Sequence, residues 1–117
     1  MPDVVKLFHN PNCSKSRATL QLLEEHNTKP EIIEYLKTPL DKNVIEDILE
    51  KLGKAPRDIM RKNEQIYRIN KLEDENLSRP QLIEAIIRDP ILMQRPIVLA
   101  NNKAAIGRPP ESILEII

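Results

Sequence analysis

The only cysteine of this 117-residue chain, Cys13, lies in the polar stretch HNPNCSKSR at residues 9–17. An apolar run and an Asn-Pro-Asn turn precede it, and a helical pattern follows, so we expect a helix to begin at or just after the cysteine. The unpaired N–H groups and the positive dipole at a helix start stabilise a thiolate and lower its pKa. They also bind oxyanions, and we expect Asn12 and Ser14, on either side of Cys13, to help bind the substrate. The stretch therefore predicts a nucleophile beside an anion site.

A lone cysteine is more often a small buried hydrophobe, but the polar neighbours of Cys13 favour a reactive thiol. Lys15 and Arg17 lie close enough in sequence to favour the thiolate. Ser16 occupies the fourth position, so there is no CxxC dithiol. Arg17 is the fifth residue counting Cys13 as the first, which excludes a Cys-x5-Arg phosphatase loop, and no cysteine–histidine cluster suits zinc. His9 could orient or deprotonate Cys13, although a histidine at a strand end is as often structural.

The order of apolar runs and turn signals predicts an α/β fold. A strand, a helix and a second strand at short spacing favour a βαβ unit with parallel strands, and Asn101-Asn102 favours an antiparallel hairpin. The segment of about 41–89 has helical patterns throughout, with Asp41 and Ser78 as N-caps and Gly53 as a helix stop. We therefore expect one thioredoxin-like domain, residues 1–117, with a mixed four-stranded sheet and a helical insert. The predicted strands are 4–8, 31–36, 96–100 and 103–106, and the predicted helices are 14–26, several within the insert, and 110–117.

Arginines beside chain breaks are the other candidates for chemistry. Arg61 begins the sequence RKN, whereas Arg95 and Arg108 each precede a proline and are thereby biased to extended geometry near strand ends or loops. Arginine suits a tetrahedral oxyanion because its planar fork donates two parallel hydrogen bonds. Arginines are also common solvated residues, so position alone leaves both interpretations open. Pro96 begins a strand where thioredoxin-like folds hold a cis-proline against the active-site cysteine, and only X-Pro bonds adopt cis readily.

The amino-acid composition limits the classes of partner and the cellular locations that the protein could have. Hydrophobic residues make up 40% and charged residues 31%, as in a globular protein, and 18 Lys plus Arg balance 18 Asp plus Glu. This balance gives no support for nucleic acid or a membrane surface as a partner. The N-terminus MPDVVK lacks the apolar core of a signal peptide, and no apolar run approaches the roughly 20 residues that span a bilayer. We expect a cytoplasmic monomer with no internal disulfide.

Taken together, the motifs HNPNCSKSR, LKTP, MRKN, ILMQRPIV and IGRPPE closely resemble the glutaredoxin-coupled arsenate reductase family, in its short form. The resemblance covers nearly the whole chain. It implies a thioredoxin-like fold with a helical insert, and a catalytic cysteine at Cys13. It also places the histidine before the Asn-Pro turn at His9 and the three oxyanion-binding arginines at Arg61, Arg95 and Arg108.

The resemblance also implies a mechanism. The Cys13 thiolate attacks bound arsenate, and water leaves to give a covalent arseno-cysteine. Because the chain has no second cysteine, the reducing thiol must come from outside. In the family this thiol is glutathione, a co-substrate, followed by the partner glutaredoxin, and arsenite is released. The sequence carries no metal or nucleotide signature, so we expect no tightly bound cofactor.

Two alternatives stay open. The chain could be a glutathione-dependent thiol oxidoreductase with another substrate, or a non-catalytic regulator that binds RNA polymerase, like the Spx-type members of the wider family. Spx-type proteins usually carry CxxC. Ser16 argues against redox sensing of that kind, and the three arginines argue for an oxyanion enzyme.

Overall fold

A computed structural model describes residues 4–117, so the first three residues of the MPDVVK stretch lie outside the described residues. The chain divides into two compact units. One contains the chain up to Thr38 together with Arg95–Ile117, and the other is Pro39–Gln94. Each unit is built from its own secondary structure.

The first unit is a mixed four-stranded sheet with helices. Its elements are β1 (Lys6–Phe8), α1 (Ser14–Glu25), β2 (Glu31–Ile33), β3 (Ile97–Ala100), β4 (Lys103–Ile106) and a 3-10 helix, Pro110–Glu115. The strand order is β2-β1-β3-β4. β1 and β2 are parallel, with Leu7 opposite Ile32, whereas β3 is antiparallel to both β1 and β4. The predicted α/β class and mixed four-stranded sheet are confirmed.

Three elements differ by two or more residues from the predicted bounds, and the predicted end of α1 and the predicted start of β3 each differ by one residue. β1 begins at Lys6 rather than at residue 4, and β2 ends at Ile33 rather than at residue 36. The chain turns after β2 because the amides of Lys37 and Thr38 both donate to the carbonyl of Glu34, at 2.9 Å. The closing helix is a 3-10 helix that ends at Glu115. Side chains three residues apart are aligned in a 3-10 helix, which suits the burial of the isoleucines near its end.

The hairpin between β3 and β4 follows from its two asparagines. Asn101 and Asn102 have φ angles of 52° and 63°, and asparagine tolerates this left-handed region better than most residues. A two-residue turn with both φ values positive matches the right-handed twist of the flanking strands. The predicted antiparallel pairing is confirmed.

An apolar cluster holds α1 and the 3-10 helix against the sheet. Its buried members come from β1, α1, β3 and the C-terminal segment: Leu7, Leu23, Val98, Ala100, Ile113 and Ile116. Burying an aliphatic side chain of this size stabilises a fold by roughly 1.5–3 kcal/mol. The cluster therefore holds α1, whose N-cap is Cys13, against the sheet.

The second unit is helical, and its local signals match the structure closely. It contains α2 (Lys42–Leu52), α3 (Gln65–Ile69), α4 (Arg79–Arg88) and the 3-10 helices Pro56–Ile59 and Pro90–Leu92. Both predicted N-caps are confirmed: Asp41 accepts from the amide of Val44 at 2.9 Å, and Ser78 forms a capping box with Gln81. α2 ends at Gly53 in the left-handed region, at φ 65°.

None of the helices within residues 4–117 has both the length and the apolar character needed to cross a membrane.

Candidate active site

Asn10 organises the loop that carries the cysteine. Its side chain is buried, and its Oδ1 accepts from the amide of Asn12 at 3.0 Å. Its carbonyl accepts from the amide of Cys13 at 3.0 Å, and its own amide donates to Ser16 Oγ at 3.0 Å. Asparagine favours such turns because its side chain bonds to the backbone two residues ahead. These bonds connect the end of β1 to the first turn of α1.

Cys13 is the N-cap of α1, as the sequence predicted for a cysteine at the start of a helix. Its backbone is extended, at φ −101° and ψ 124°, and its carbonyl accepts from the amide of Arg17 at 3.0 Å. The residue is half-buried. Its thiol thus faces the N–H groups of a helix start while remaining within reach of solvent.

The surroundings lower the pKa of the Cys13 thiol below its ordinary value. Partial burial acts in the opposite direction and is the largest single effect. It is outweighed by the stabilisation that the Ser16 amide, the Arg95 side chain and the Lys15 amide give the thiolate, together with the positive charge of Arg95, although Cys13 forms no side-chain cap hydrogen bond at the start of α1. The thiolate is therefore favoured, which is what a nucleophilic cysteine requires.

The source of this effect differs from the sequence interpretation. We expected the side chains of Lys15 and Arg17 to favour the thiolate. Instead, Lys15 acts through its backbone amide, and the guanidinium of Arg17 donates to the carbonyl of Pro11 at 2.9 Å. The cation that lowers the pKa of Cys13 is Arg95, which is 82 positions further along the chain.

Arg95 and Arg108 lie together beside the thiol. Nε of Arg108 donates to the carbonyl of Arg95 at 2.7 Å, and its Nη2 lies 3.9 Å from Cys13 Sγ. Nε of Arg95 is buried and has no hydrogen-bond partner within residues 4–117. Arg95 and Arg108, two of the three predicted arginines, therefore lie beside Cys13. The buried Nε of Arg95 is left without an acceptor among residues 4–117.

Pro96 and Gly107 set the backbone that carries these arginines. Both Arg95-Pro96 and Arg108-Pro109 are cis peptide bonds, the first as expected for Pro96. The amide of Gly107 donates to the carbonyl of Pro96 at 2.9 Å. A Cβ on Gly107 would lie 2.5 Å from Thr19 Oγ1 and 2.7 Å from Pro96 Cγ. Only glycine fits between the proline and α1 without displacing one of them.

His9 lies under the loop and bonds to Ser16. Its Nδ1 is 2.6 Å from Ser16 Oγ, and the side chains of both residues are buried. Burial lowers the pKa of His9, Glu34 raises it and Arg17 lowers it further, with a net decrease. The neutral form of the His9 imidazole is therefore favoured by the fold. Within residues 4–117 no hydrogen bond joins His9 to Cys13, so its role as a direct helper stays a prediction.

Asn12 and Ser14 flank the thiol with exposed side chains. The amide of Asn12 is already bonded to Asn10 Oδ1, so it is not a spare donor in this structure. Ser14 is the first residue of α1. Their predicted part in substrate binding stays a prediction.

Arg61 belongs to the helical unit, not to the unit that contains Cys13. Its guanidinium forms a salt bridge with Glu64 at 2.5 Å, and its amide donates to the carbonyl of Leu92 at 2.6 Å. Its predicted role as a third oxyanion ligand stays a prediction.

Sequence reasoning did not identify Asn10, Ser16, Thr19 or Gly107 as site residues. One signal was available for Asn10, since an asparagine that opens an Asn-Pro turn commonly bonds to the following backbone. The buried contacts of Ser16 and Thr19 depend on how α1 packs, which short-range patterns do not reveal. Among residues 4–117 no group of three or more His, Cys, Asp or Glu side chains could hold a metal ion.

Comparison with known proteins shows that the chain is similar to members of one family over nearly its whole length. The sequence profile of the ArsC family matches residues 8–116. The chain is 50% identical to arsenate reductase of Neisseria meningitidis serogroup A over 114 residues, which is 97% of each protein. It is also 50% identical over 118 residues to the uncharacterized protein YfgD of Escherichia coli K12, covering 100% of this chain and 99% of that protein.

Among solved structures, arsenate reductase from Vibrio cholerae superimposes with a TM-score of 0.95. Its sequence is 42% identical, and the superposition covers 97% of this chain and 98% of that one. At this identity the similarity extends beyond a shared backbone fold.

Proposed function

The chain belongs to the ArsC family, and on this premise we propose that it is an arsenate reductase in which Cys13 attacks arsenate. The observation that carries the proposal is the environment of the Cys13 sulfur. Backbone amides of α1 and the Arg95 side chain favour its thiolate, and Arg108 Nη2 lies 3.9 Å away. A lowered thiol pKa and a neighbouring guanidinium are both what a nucleophile that attacks an anionic substrate requires.

Arg95 and Arg108 are the proposed anion ligands from the unit that contains Cys13. Arsenate is a tetrahedral oxyanion, and guanidinium groups bind such oxygens with paired, charge-assisted hydrogen bonds. The buried Nε of Arg95 has no partner within residues 4–117, and an arsenate oxygen would supply one. Arg61 is proposed as a third ligand, on the resemblance of its MRKN motif.

The first step forms one bond and breaks one. The Cys13 thiolate attacks arsenic, a sulfur–arsenic bond forms, and one arsenate oxygen leaves as water after taking up protons. Arsenic remains As(V) in this adduct. The arginines lower the barrier because they stabilise the negative charge that the attack brings together on the oxyanion.

Reduction requires two electrons, and two thiols from outside the chain supply them. We propose glutathione as the first thiol and glutaredoxin as the second. Glutathione displaces a second oxygen of the adduct as water, and the glutaredoxin thiolate then attacks the glutathione sulfur, so that a mixed disulfide forms and the electron pair of the broken sulfur–arsenic bond reduces As(V) to As(III). Water cleaves the remaining bond between arsenic and Cys13, which releases arsenite and regenerates the Cys13 thiol. The chain has one cysteine, and Ser16, which stands where a CxxC pair would place a second, is buried and bonded to His9. We place this reaction in the cytoplasm, where glutathione is kept reduced.

The test is arsenite production from arsenate by purified protein with glutathione, glutaredoxin, glutathione reductase and NADPH. We expect turnover that is lost when either glutathione or glutaredoxin is omitted. Cys13→Ser should abolish turnover, since loss of a nucleophile can cost on the order of a millionfold in kcat, whereas Ser112→Ala, a change in the C-terminal 3-10 helix, should keep it. Full activity of Cys13→Ser would refute the proposal.

A second candidate follows from the same sulfur. A half-exposed thiol with a lowered pKa also suits exchange with a glutathione mixed disulfide. Under this candidate the protein would reduce glutathionylated substrates without needing Arg108 for oxyanion binding. Arg108→Ala and the wild type together separate the two functions. If Arg108→Ala loses arsenate turnover but still reduces a glutathionylated substrate, arsenate reduction is favoured; if the wild type reduces the glutathionylated substrate but turns over no arsenate, thiol exchange is favoured.

A further inference from the structure

We propose that Asn10 is a positioning residue for the Cys13 nucleophile, holding the loop at residues 9–13 against the first turn of α1. This inference rests on the proposed function of Cys13 as a nucleophile. Asn10 touches neither the sulfur nor a substrate, so it acts through the backbone. Its effect is to keep Cys13 Sγ in front of the amides of Lys15 and Ser16.

The hydrogen bonds of Asn10 run in both directions along the chain. Its Oδ1 accepts a hydrogen bond from the amide of Asn12, and its carbonyl accepts one from the amide of Cys13. These two bonds close a tight turn ahead of the cysteine. Its amide donates to Ser16 Oγ, which lies inside the first turn of α1. One residue therefore bonds to the segment before the thiol and to the segment after it.

Burial makes these bonds strong and their loss costly. Asn10 is 8% exposed and Ser16 is fully buried, so water cannot readily replace either partner. A buried donor or acceptor that loses its partner is left with its desolvation cost uncompensated. The loop would relax to recover those bonds, and Cys13 would move with it. Arg17 donates to the carbonyl of Pro11 from the exposed side, and this single bond offers the loop less support.

The groups that act on the sulfur divide into two sets. The amides of Ser16 and Lys15 depend on the loop and α1 keeping their register. Arg95 and Arg108 approach from the segments that begin and follow the β3–β4 hairpin, and neither bonds to Asn10. Of the three bonds, only the one from the Asn12 amide to Oδ1 belongs to the side chain, and the bonds of the residue-10 amide and carbonyl remain in a variant. Loss of the Asn10 side chain should therefore weaken the amide contribution and leave the arginine contribution, a partial effect rather than a total one.

The experiment titrates the Cys13 thiol without arsenate. The rate of alkylation by iodoacetamide is measured against pH for the wild type, Asn10→Ser and Asn10→Ala. Serine can accept the same amide bond more weakly, so the thiol pKa should rise from the wild type through Asn10→Ser to Asn10→Ala. For Asn10→Ala we expect a rise of about one unit, a tenfold smaller thiolate fraction below the pKa. Asn43→Ala, an exposed position of α2, is the control and should match the wild type.

The outcomes separate this inference from the proposed function. A thiol pKa of Asn10→Ala equal to that of the wild type, or one no higher than that of Asn10→Ser, would overturn the positioning role. Should Asn10→Ala fail to fold, Asn10→Ser decides alone: a raised thiol pKa supports the role, and an unchanged one overturns it. Because this titration uses no arsenate, a wild type that fails to reduce arsenate would refute the proposed function and leave the role of Asn10 open to the same measurement.

Discussion

Replacing Gly107 by alanine tests whether the backbone between the cis-prolines sets the position of Arg108. Gly107 does not lie in the left-handed region, so its need for glycine is steric rather than conformational. The added Cβ would meet Thr19 Oγ1 at 2.5 Å and Pro96 Cγ at 2.7 Å, whereas real Cβ contacts are essentially never under 3.0 Å. Neither neighbour is free to retreat, because Thr19 is fully buried and donates to the carbonyl of Lys15 within α1.

The size of the effect follows from these distances. At least one contact must lengthen by about half an ångström, and overpacking of this kind typically costs about 1–3 kcal/mol of unfolding free energy. The amide of Gly107 is bonded to Pro96, so the shift passes into the segment that holds Arg108 beside Cys13. Misplacing a catalytic group by about 1 Å can cost a hundredfold in rate, and we expect kcat/KM for arsenate to fall by about ten- to a hundredfold.

The assay pairs arsenate kinetics with thermal unfolding and uses Gly53→Ala as the matched control. Gly53 has φ 65° and nothing within 4 Å of its virtual Cβ, so alanine there strains the backbone by roughly 1–2 kcal/mol without a steric clash. We expect Gly53→Ala to lose stability but keep kcat/KM. A Gly107→Ala protein that is destabilised yet keeps wild-type kcat/KM would show that Arg108 does not depend on this backbone, and would refute the reasoning.

Three further predictions concern charge. Arg95→Ala should raise the thiol pKa of Cys13, because it removes both a hydrogen bond and a positive charge, whereas Arg79→Ala should leave the alkylation profile unchanged. Arg61→Ala should lower arsenate kcat/KM by at least tenfold without moving that profile; unchanged kcat/KM would remove Arg61 from the proposed site. The pKa of His9 is lowered by folding, so the folded state binds fewer protons, and the free energy of unfolding should fall as pH drops below about 6.5. Urea unfolding of His9→Asn between pH 7 and pH 5 should show a weaker pH dependence than the wild type, and an equal dependence would contradict the assignment to His9.

Most of the element order could be predicted because its signals are local. Asp41 and Ser78 cap helices through bonds to amides three residues away, and Asn101-Asn102 closes its hairpin through its own backbone angles. The same holds for Cys13, which is the N-cap of α1 because a turn and a helical pattern meet there. Strand ends were predicted less well, since the turn after β2 depends on where pairing with β1 stops.

Tertiary structure alone decided which groups surround the thiol. Arg108 lies 95 positions from Cys13 in sequence, and only the packing of β3 beside β1 brings the two together. Among the arginines, sequence position supplied no reason to prefer Arg95 and Arg108 beyond their prolines, and the choice rested on resemblance to a family. For the same reason the sequence predicted that Lys15 and Arg17 lower the thiol pKa, whereas the cation that does so is Arg95. Electrostatic effects depend on distance in space, which spacing along the chain does not measure.

The sequence by itself thus determined the candidate nucleophile, the helix start beside it and, under the proposed function, the need for an outside thiol. These depend on residue type and on bonds spanning a few positions. The convergence of Arg95 and Arg108 on Cys13, and the buried bonds of Asn10 under the loop, required the folded sheet. Local hydrogen bonding and turn chemistry act within one or two turns of the chain, whereas an active site is assembled by contacts whose partners only the complete packing brings within reach.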